Sequence, residues 1–297
     1  MKRLSKMLVA ILALIFLFPT TVLAANERNG NNIMNGDGDT SIPLSYEERI
    51  AQIDEDNSLT EAQKEAQKEK MMFGEQVNQI ELDSTLSRSA KDSKINALNA
   101  SFFGASNQIS PFAAEHISLI VPYFKQETNY YCGPATARQT ISSIKGALTG
   151  TGVPSQSAIA NDPAFGGVTS SGGTLNATKM RQYINSKAGV NYVEVVNYTA
   201  SAMQMCIDRG METYKMPPIL RMKNASENNS WLYATGGHYC NISAKINSTT
   251  YQITDPYIKW AYPEDEYGNL YYTGKYNRTL TQIYNVTQQH SAKSFWF

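Results

Sequence analysis

The order of two hydrophobic patterns along residues 114–297 most constrains the fold of this chain. Helical spacing predominates first and predicts helices at 133–145, 175–186 and 201–209. Strand-like apolar runs predominate later and predict strands at 192–196, 219–222, 239–246, 251–254 and 294–297, after one early strand at 117–124. Helices that precede strands, without a repeating βαβ unit, favour an α+β fold in which N-terminal helices pack on a C-terminal antiparallel sheet.

Residues 1–25 have the parts of a secretory signal peptide. A positively charged start precedes an apolar run at 8–18, and the small residues Ala24 and Ala25 follow at the expected cleavage position. The apolar run is too short to cross a bilayer comfortably. We therefore expect a bacterial protein that is secreted after cleavage near Ala24 or Ala25 and then keeps no integral membrane segment.

Residues 26–113 lie between this signal and the predicted domain at 114–297. Residues 26–44 are rich in Asn, Gly and Asp without an apolar period, which predicts a flexible linker. Residues 45–113 are predicted to form a short helical prosegment or spacer, with a helical hairpin at 45–73 and one more helix after it. A charged helical hairpin ahead of a hydrolase fits intramolecular inhibition by residues 26–113, and it equally fits a spacer or a partner-binding arm.

Composition excludes several classes of function. Lys and Arg total 26 and Asp and Glu total 26, so the net charge of zero provides no basic surface for nucleic acid or an anionic membrane. Three cysteines and three histidines leave little material for a disulfide scaffold or a metal site, and we expect neither a metal nor a cofactor. The acidic turn at 54–58 favours a helix turn over a calcium loop, because Leu59 occupies the position that needs Gly.

Cys132 is the first candidate for chemistry. It precedes Gly133 and Pro134 at a predicted helix start, where unpaired backbone N–H groups and the helix dipole favour an anion. Both effects lower a thiol pKa and so favour the reactive thiolate. For an isolated cysteine, the alternative is a small buried residue at the start of a helix. Cys206 and Cys240 are interpreted as buried small residues, with a disulfide between them as the alternative.

A thiolate nucleophile needs a base, and His238 has the best context for that role. Two glycines precede it at the start of a predicted strand, whereas His116 and His290 lie in polar surroundings and are expected to be solvated. Asp255 ends the next predicted strand, so antiparallel pairing would bring it within reach of a ring N–H of His238. Gln126 completes the set, because a side-chain amide can donate to the oxyanion formed when a thiolate attacks a carbonyl.

The local sequences around these residues resemble those of the papain-like cysteine peptidases. More narrowly, they are similar to secreted relatives of the double-glycine peptidases that process bacteriocin leaders. The matching strings are Val-Pro-Tyr-Phe-Lys-Gln at 121–126, Cys-Gly-Pro-Ala-Thr-Ala at 132–137, Pro-Ile-Leu-Arg-Met at 218–222, Gly-His-Tyr at 237–239 and Ile-Thr-Asp-Pro at 253–256. The resemblance covers about residues 116–297 and implies a papain-like fold.

The same resemblance implies a role for each residue of the set. Cys132 is the implied nucleophile, His238 the general base and acid, Asp255 the group that orients His238, and Gln126 the oxyanion donor. The bacteriocin-processing members are fused to a membrane-spanning, ATP-driven exporter, which this sequence lacks. Cleavage of double-glycine leaders is therefore not expected here.

These observations favour an exported thiol hydrolase that cleaves a peptide or amide bond in a peptide, a protein or a cell-wall peptide. One alternative is a secreted non-catalytic binding module on the same fold, for which the tyrosines between 262 and 276 would suit contacts. The other alternative is a peptidoglycan amidase or transpeptidase-type acyl transferase, because one fold supports many reactions. The complete set of four residues favours an enzyme over an inactive relative.

Overall fold

The computed structural model describes residues 34–35, 37–39, 44–57, 59–103, 116–225, 231–257 and 273–297. The predicted signal peptide, most of the predicted linker and the tyrosines at 262–272 lie outside these residues. The chain divides into units at 1–32 and 33–297, and every described residue belongs to the second. This unit combines helices with a mainly antiparallel sheet, which confirms the α+β class.

Helices α1 (Tyr46–Glu55), α2 (Glu61–Leu82) and α3 (Arg88–Phe103) follow one short strand at 34–35 and precede the other strands of the main sheet. Ser45 and Thr60 begin α1 and α2 with capping boxes, in which the cap side chain and a glutamate or glutamine exchange hydrogen bonds with the backbone. The hairpin expected at 45–73 is present, but α2 continues to Leu82 because Val77 is fully buried in its second half.

Eight strands of the described chain form one sheet, and two short strands pair separately. The strands are β1 (Met34–Asn35), β2 (Ile117–Ser118), β3 (Val168–Thr169), β4 (Gly173–Thr174), β5 (Glu194–Val196), β6 (Ile219–Asn224), β7 (Thr235–Asn247), β8 (Thr250–Thr254), β9 (Lys275–Thr279) and β10 (Ser294–Trp296). The main order is β5–β10–β6–β7–β8–β9, while β1 and β2 also pair with β7. Strands β3 and β4 form the separate pair.

The remaining helices are α4 (Cys132–Ile144), α5 (Gln156–Asn161), α6 (Ala177–Ala188), α7 (Ala200–Glu212) and α8 (Leu280–Gln289). Helix α4 contacts β7 and α6, and α8 contacts β6 and α7. The helices expected at 133–145, 175–186 and 201–209 correspond to α4, α6 and α7, whereas α8 and β9 were not predicted. Within the part of the chain that the structure describes, no helix has both the length and the apolar character needed to span a membrane.

Two local expectations differ from the structure. The strand predicted at 117–124 is limited to Ile117–Ser118, and Pro122, which lacks an N–H, cannot continue a strand ladder as a donor. Part of the segment expected to be a flexible linker is packed, since β1 pairs with β7 and the side chain of Asp37 is buried. The sequence did not indicate that Asp37, an acidic residue in a polar segment, would pair with the buried cation of Arg221.

Candidate active site

A buried histidine–aspartate pair lies where β7 and β8 run side by side. Antiparallel pairing aligns Asn241 with Thr254, the last residue of β8, and Asp255 follows directly. His238 Nε2 lies 2.8 Å from Asp255 Oδ1, and both side chains are fully buried. The contact that strand pairing predicted is therefore present.

Asp255 is held by several donors besides His238. The hydroxyls of Tyr233 and Tyr276 each donate to Oδ2 at 2.6 Å, and the backbone N–H of Tyr257 donates to Oδ1 at 2.9 Å. Burial raises the pKa of this carboxyl, but the charge of His238 and the side-chain hydrogen bonds outweigh burial and leave the pKa below its usual value. Asp255 is thus an oriented carboxylate rather than a neutral acid.

His238 has one ring nitrogen engaged and the other available. Nδ1 is buried and has no hydrogen-bond partner among the residues that the structure describes. In a neutral ring whose Nε2 faces a carboxylate, the proton resides on Nε2 and Nδ1 is the acceptor. A ring with this tautomer can accept a proton from a thiol while the carboxylate holds its orientation.

Cys132 is the first residue of α4, and two contacts fix this helix against β7. Thr136 Oγ1 donates to the Tyr239 carbonyl oxygen at 2.9 Å, and Thr140 Oγ1 donates to Asn241 Oδ1 at 2.8 Å. Cys132 lies one helical turn before Thr136, just as His238 directly precedes Tyr239 on the strand. The helix–strand register therefore brings the thiol to the part of β7 that carries His238.

The thiol of Cys132 is fully buried, which changes its acidity. Burial raises the pKa well above the usual thiol value, and hydrogen bonds from the backbone of Tyr239 and Gly133 offset only part of this increase. The negative charges of Asp37 and Asp255 raise the pKa further. The expectation of a lowered pKa at the helix start is thus wrong for this arrangement, because burial outweighs the helix terminus.

Gln126 lies beside the turn that follows Asp255. Its backbone N–H donates to the Pro256 carbonyl oxygen at 3.0 Å, and its Nε2 donates to the Thr128 carbonyl oxygen at 2.7 Å. The side chain is fully buried, like those of the other three predicted site residues. A backbone hydrogen bond therefore connects the Gln126 loop to the turn that carries Asp255.

Two glycines of the site allow neighbouring residues to approach closely. A Cβ at Gly133, next to Cys132, would collide with Thr174 Oγ1 of β4. A Cβ at Gly237, next to His238, would lie 2.5 Å from the carbonyl oxygen of Asp37. Gly38 N–H also donates to the Thr174 carbonyl oxygen at 3.0 Å. Residues 37–39 and β4 therefore lie against the chain next to both Cys132 and His238.

A second buried charge cluster was not predicted from the sequence. Arg221 Nε lies 2.9 Å from Asp37 Oδ2 and Nη1 lies 3.1 Å from Glu194 Oε1. His290 Nε2 lies 3.1 Å from the same Asp37 oxygen. Burial raises the pKa of Asp37, but Arg221 and His290 lower it to about 2. The solvated state expected for His290 is wrong, since only 4% of this residue is exposed. An arginine inside the apolar run 218–222 was the available sequence signal.

The other two cysteines and the acidic turn have no metal or disulfide role in this structure. Cys206 and Cys240 are buried and free, so the alternative of a disulfide between them does not apply. In the described ranges, no group of three or more His, Cys, Asp or Glu side chains is arranged to hold a metal ion. Asp54 pairs with Lys68, and Asp56 Oδ2 accepts from Gln182 Nε2 at 2.8 Å.

Comparisons of this chain with protein-family models, with curated proteins and with solved structures give no match. No relative therefore supplies a function or a fold name. The support for a function is the chemistry of Cys132, His238, Asp255 and Gln126 in the geometry described above.

Proposed function

We propose that this chain is an exported thiol hydrolase, a cysteine peptidase with a papain-like fold that cleaves a peptide or amide bond. The observation that carries the proposal is the buried 2.8 Å contact between His238 Nε2 and Asp255 Oδ1. His238 lies on β7, and α4, which begins at Cys132, packs against this strand. A nucleophile at a helix start, a histidine with one available nitrogen and an acid that orients it form a Cys–His–Asp set.

In the first half of the reaction, Cys132 Sγ transfers its proton to His238 Nδ1 and attacks the substrate carbonyl carbon. A C–S bond forms and the carbonyl electron pair moves to the oxygen, which accepts hydrogen bonds from the Gln126 side-chain amide and the Cys132 backbone N–H. His238 then gives its proton to the leaving nitrogen, the C–N bond breaks, and a thioester remains on Cys132.

In the second half, water replaces the departed amine. His238 Nδ1 takes a proton from this water while the water oxygen attacks the thioester carbon, and the C–S bond then breaks. The proton on His238 returns to the Cys132 sulfur, and the product leaves as a carboxylic acid that ionises in solution. Asp255 keeps Nε2 protonated and stabilises the imidazolium in both halves.

A matched pair of cysteine variants tests this proposal. Residues 26–297, in wild-type form and as Cys132→Ala and Cys206→Ala, are incubated with peptide mixtures and cell-wall stem peptides, and products are identified by mass spectrometry. Cys206 is an appropriate control because it is also buried and free. Cleavage that is lost in Cys132→Ala and kept in Cys206→Ala supports the hydrolase. Cleavage that persists in Cys132→Ala overturns it.

The competing function is a secreted binding module, and the burial of Cys132 with its raised pKa favours this alternative. A binding module would retain the same peptide or cell-wall fragment with equal Kd in the wild type and in Cys132→Ala, and neither protein would release products. An acyl transferase would instead transfer the acyl group to an added amine. Including glycine amide in the incubation distinguishes this product from that of hydrolysis.

A further inference from the structure

The carboxylate of Asp37 faces two donors, Arg221 on β6 and His290 at the C-terminal end of α8. The side chain of Asp37 is completely buried, and that of Arg221 is 3% exposed. Arg221 Nε and His290 Nε2 both face Asp37 Oδ2, at 2.9 and 3.1 Å. Asp37 thus has the surroundings of a bound acidic ligand, although it belongs to the same chain.

The segment that carries Asp37 is held as an added strand. Strand β1 pairs in parallel with β7, with Met34 opposite Thr235 and Asn35 opposite Gly237. Asp37 then forms a bridge with Thr174 on the other side. Addition of an extended segment to a sheet is a common mode of peptide recognition, in which backbone hydrogen bonds give affinity and side-chain pockets give specificity.

The two donors around Asp37 are fixed by groups outside the segment. Arg221 Nη1 contacts Glu194 Oε1 at 3.1 Å and Ser294 Oγ at 3.4 Å. The backbone N–H of Ala292 donates to His290 Nδ1 at 3.1 Å, so the proton of a neutral His290 ring is on Nε2, which faces Asp37. Both donors would therefore keep their positions if Asp37 left the pocket.

The position after the acid also has a strict requirement. A Cβ at Gly38 would overlap the backbone carbonyl group of Gly172, whereas glycine allows the two backbones to approach. Gly38 N–H is held by the Thr174 carbonyl oxygen at 3.0 Å. A peptide that binds as this segment does therefore needs an acidic residue followed by glycine.

We propose that Arg221 and His290 form a subsite for an acidic side chain of a bound peptide, that the preferred sequence is Asp-Gly, and that Asp37-Gly38 of the same chain fills this subsite. The identity of the peptide as a substrate rests on the proposed hydrolase function. The binding of the peptide does not. We also infer that residues 37–39, while bound, cover Cys132, because Asp37 lies against Gly237 and Gly38 is hydrogen-bonded to Thr174, which itself lies against Gly133. This cover does not rest on the hydrolase function either.

Alkylation of Cys132 tests the cover without requiring turnover. Residues 26–297 are treated with iodoacetamide as wild type, Asp37→Asn and Asp39→Asn, and each cysteine is followed by peptide mass spectrometry. Asp39→Asn is the matched control, because it removes the same charge from the same segment at 3.9 Å from Arg221. We expect the Cys132 rate to increase by about tenfold or more in Asp37→Asn, with a smaller increase in Asp39→Asn and an unchanged Cys206 rate.

An unchanged Cys132 rate in Asp37→Asn overturns the cover. Equally faster labelling of all three cysteines in Asp37→Asn would indicate that this variant unfolds. The test is then repeated with Arg221→Lys in a chain that keeps Asp37. Lysine keeps the charge and loses the planar fork, so Cys132 should label faster than in the wild type while Cys206 does not. No change in Arg221→Lys would also overturn the proposal.

Peptides added in trans test the specificity. The Asp37→Asn chain receives the peptide Ile-Met-Asn-Gly-Asp-Gly-Asp-Thr-Ser, which copies residues 33–41. Two further peptides carry Asn for the first Asp or Ala for the second Gly. The tethered segment competes at roughly millimolar effective concentration, so the peptides are titrated over that range. We expect the unchanged peptide to protect Cys132 at about tenfold lower concentration than either altered peptide. Equal protection by all three overturns the subsite.

The outcomes separate this proposal from the hydrolase. Selective protection without cleavage of any peptide would leave the subsite standing and remove the hydrolase. Cleavage that depends on Cys132 but shows no preference for Asp-Gly would keep the hydrolase and remove the subsite. In the Asp37→Asn chain, adding Arg221→Lys should reduce the discrimination between Asp and Asn and leave that between Gly and Ala.

Discussion

Two buried histidine–aspartate contacts among the described residues differ at the second ring nitrogen. His238 Nε2 lies 2.8 Å from Asp255, and His290 Nε2 lies 3.1 Å from Asp37. His238 Nδ1 has no hydrogen-bond partner among the described residues, whereas His290 Nδ1 accepts from the Ala292 N–H. A histidine–aspartate contact is therefore not by itself a catalytic feature, because proton transfer needs a nitrogen that can reach the reacting group.

The two aspartates also differ in what neutralises them. Asp255 accepts from Tyr233 and Tyr276, which are neutral donors, while Asp37 faces the guanidinium of Arg221, which is always charged. An imidazolium formed at His238 would therefore be the main positive charge beside Asp255. At Asp37 the cation is already present, so this contact is suited to holding a carboxylate rather than to moving a proton.

The largest expected difference in activity is between variants of His238 and variants of His290. Replacement of His238 by Ala removes the base and acid of the proposed reaction, and we expect kcat/KM to fall by about 10³- to 10⁴-fold. His290→Gln should act mainly through peptide binding and so change KM more than kcat. Both are measured on the same cleaved peptide, with His116→Gln at an exposed histidine as the control. Equal loss of kcat in His238→Ala and His290→Gln would contradict the distinction between the two pairs.

Asp255→Asn is expected to have the next largest effect. An amide cannot stabilise the imidazolium and can favour the wrong tautomer of His238, so kcat should fall by about 10²- to 10³-fold. Asp208→Asn, which affects a buried Lys245 contact elsewhere, provides the control for loss of a buried acid. A decrease in stability with unchanged kcat would assign Asp255 a structural role only.

The contact between His238 and Asp255 could be predicted from sequence because it depends on local pattern. Two short apolar runs with a turn between them pair as neighbouring strands, and this pairing brings the start of one near the end of the other. The start of α4 at Cys132 was similarly available from Gly133 and Pro134. Both the His238–Asp255 contact and the start of α4 depend only on residues that are close in sequence.

The burial of Asp37 could not be predicted because it depends on distant contacts. Asp37 meets Arg221 and His290 from opposite parts of the chain, and the segment around it has no apolar period to signal burial. The raised pKa of Cys132 was not predicted either, because burial of the thiol outweighs the local effect of the helix start. Helix α8 was not predicted, although Thr279 and Gln282 form a capping box and Ile283 and Val286 lie on its buried face.

The Asp37 contact should contribute a pH-dependent part of the stability. Its pKa is lowered from 3.8 to about 2, so the contribution is complete above about pH 4 and is lost as the pH falls toward 2. A shift of this size corresponds to about 2 kcal/mol in the free energy of unfolding. Asp255 also has a lowered pKa, so the measurement compares urea unfolding of the wild type and Asp37→Asn from pH 2 to 6. Parallel curves below pH 4 would contradict the role of Asp37.

The smallest expected effect concerns the tyrosines that hold Asp255. Tyr276→Phe removes a 2.6 Å hydrogen bond to Oδ2 but leaves those from His238 and from Tyr233. We expect a loss of about 1–2 kcal/mol in unfolding free energy and a severalfold decrease in kcat, because the carboxylate is held less firmly. Tyr257→Phe is the matched control, since Tyr257 reaches Asp255 through its backbone N–H and keeps that contact as Phe. Equal effects of the two variants would mean that ring packing, and not the hydrogen bond from the hydroxyl to Asp255, accounts for the change.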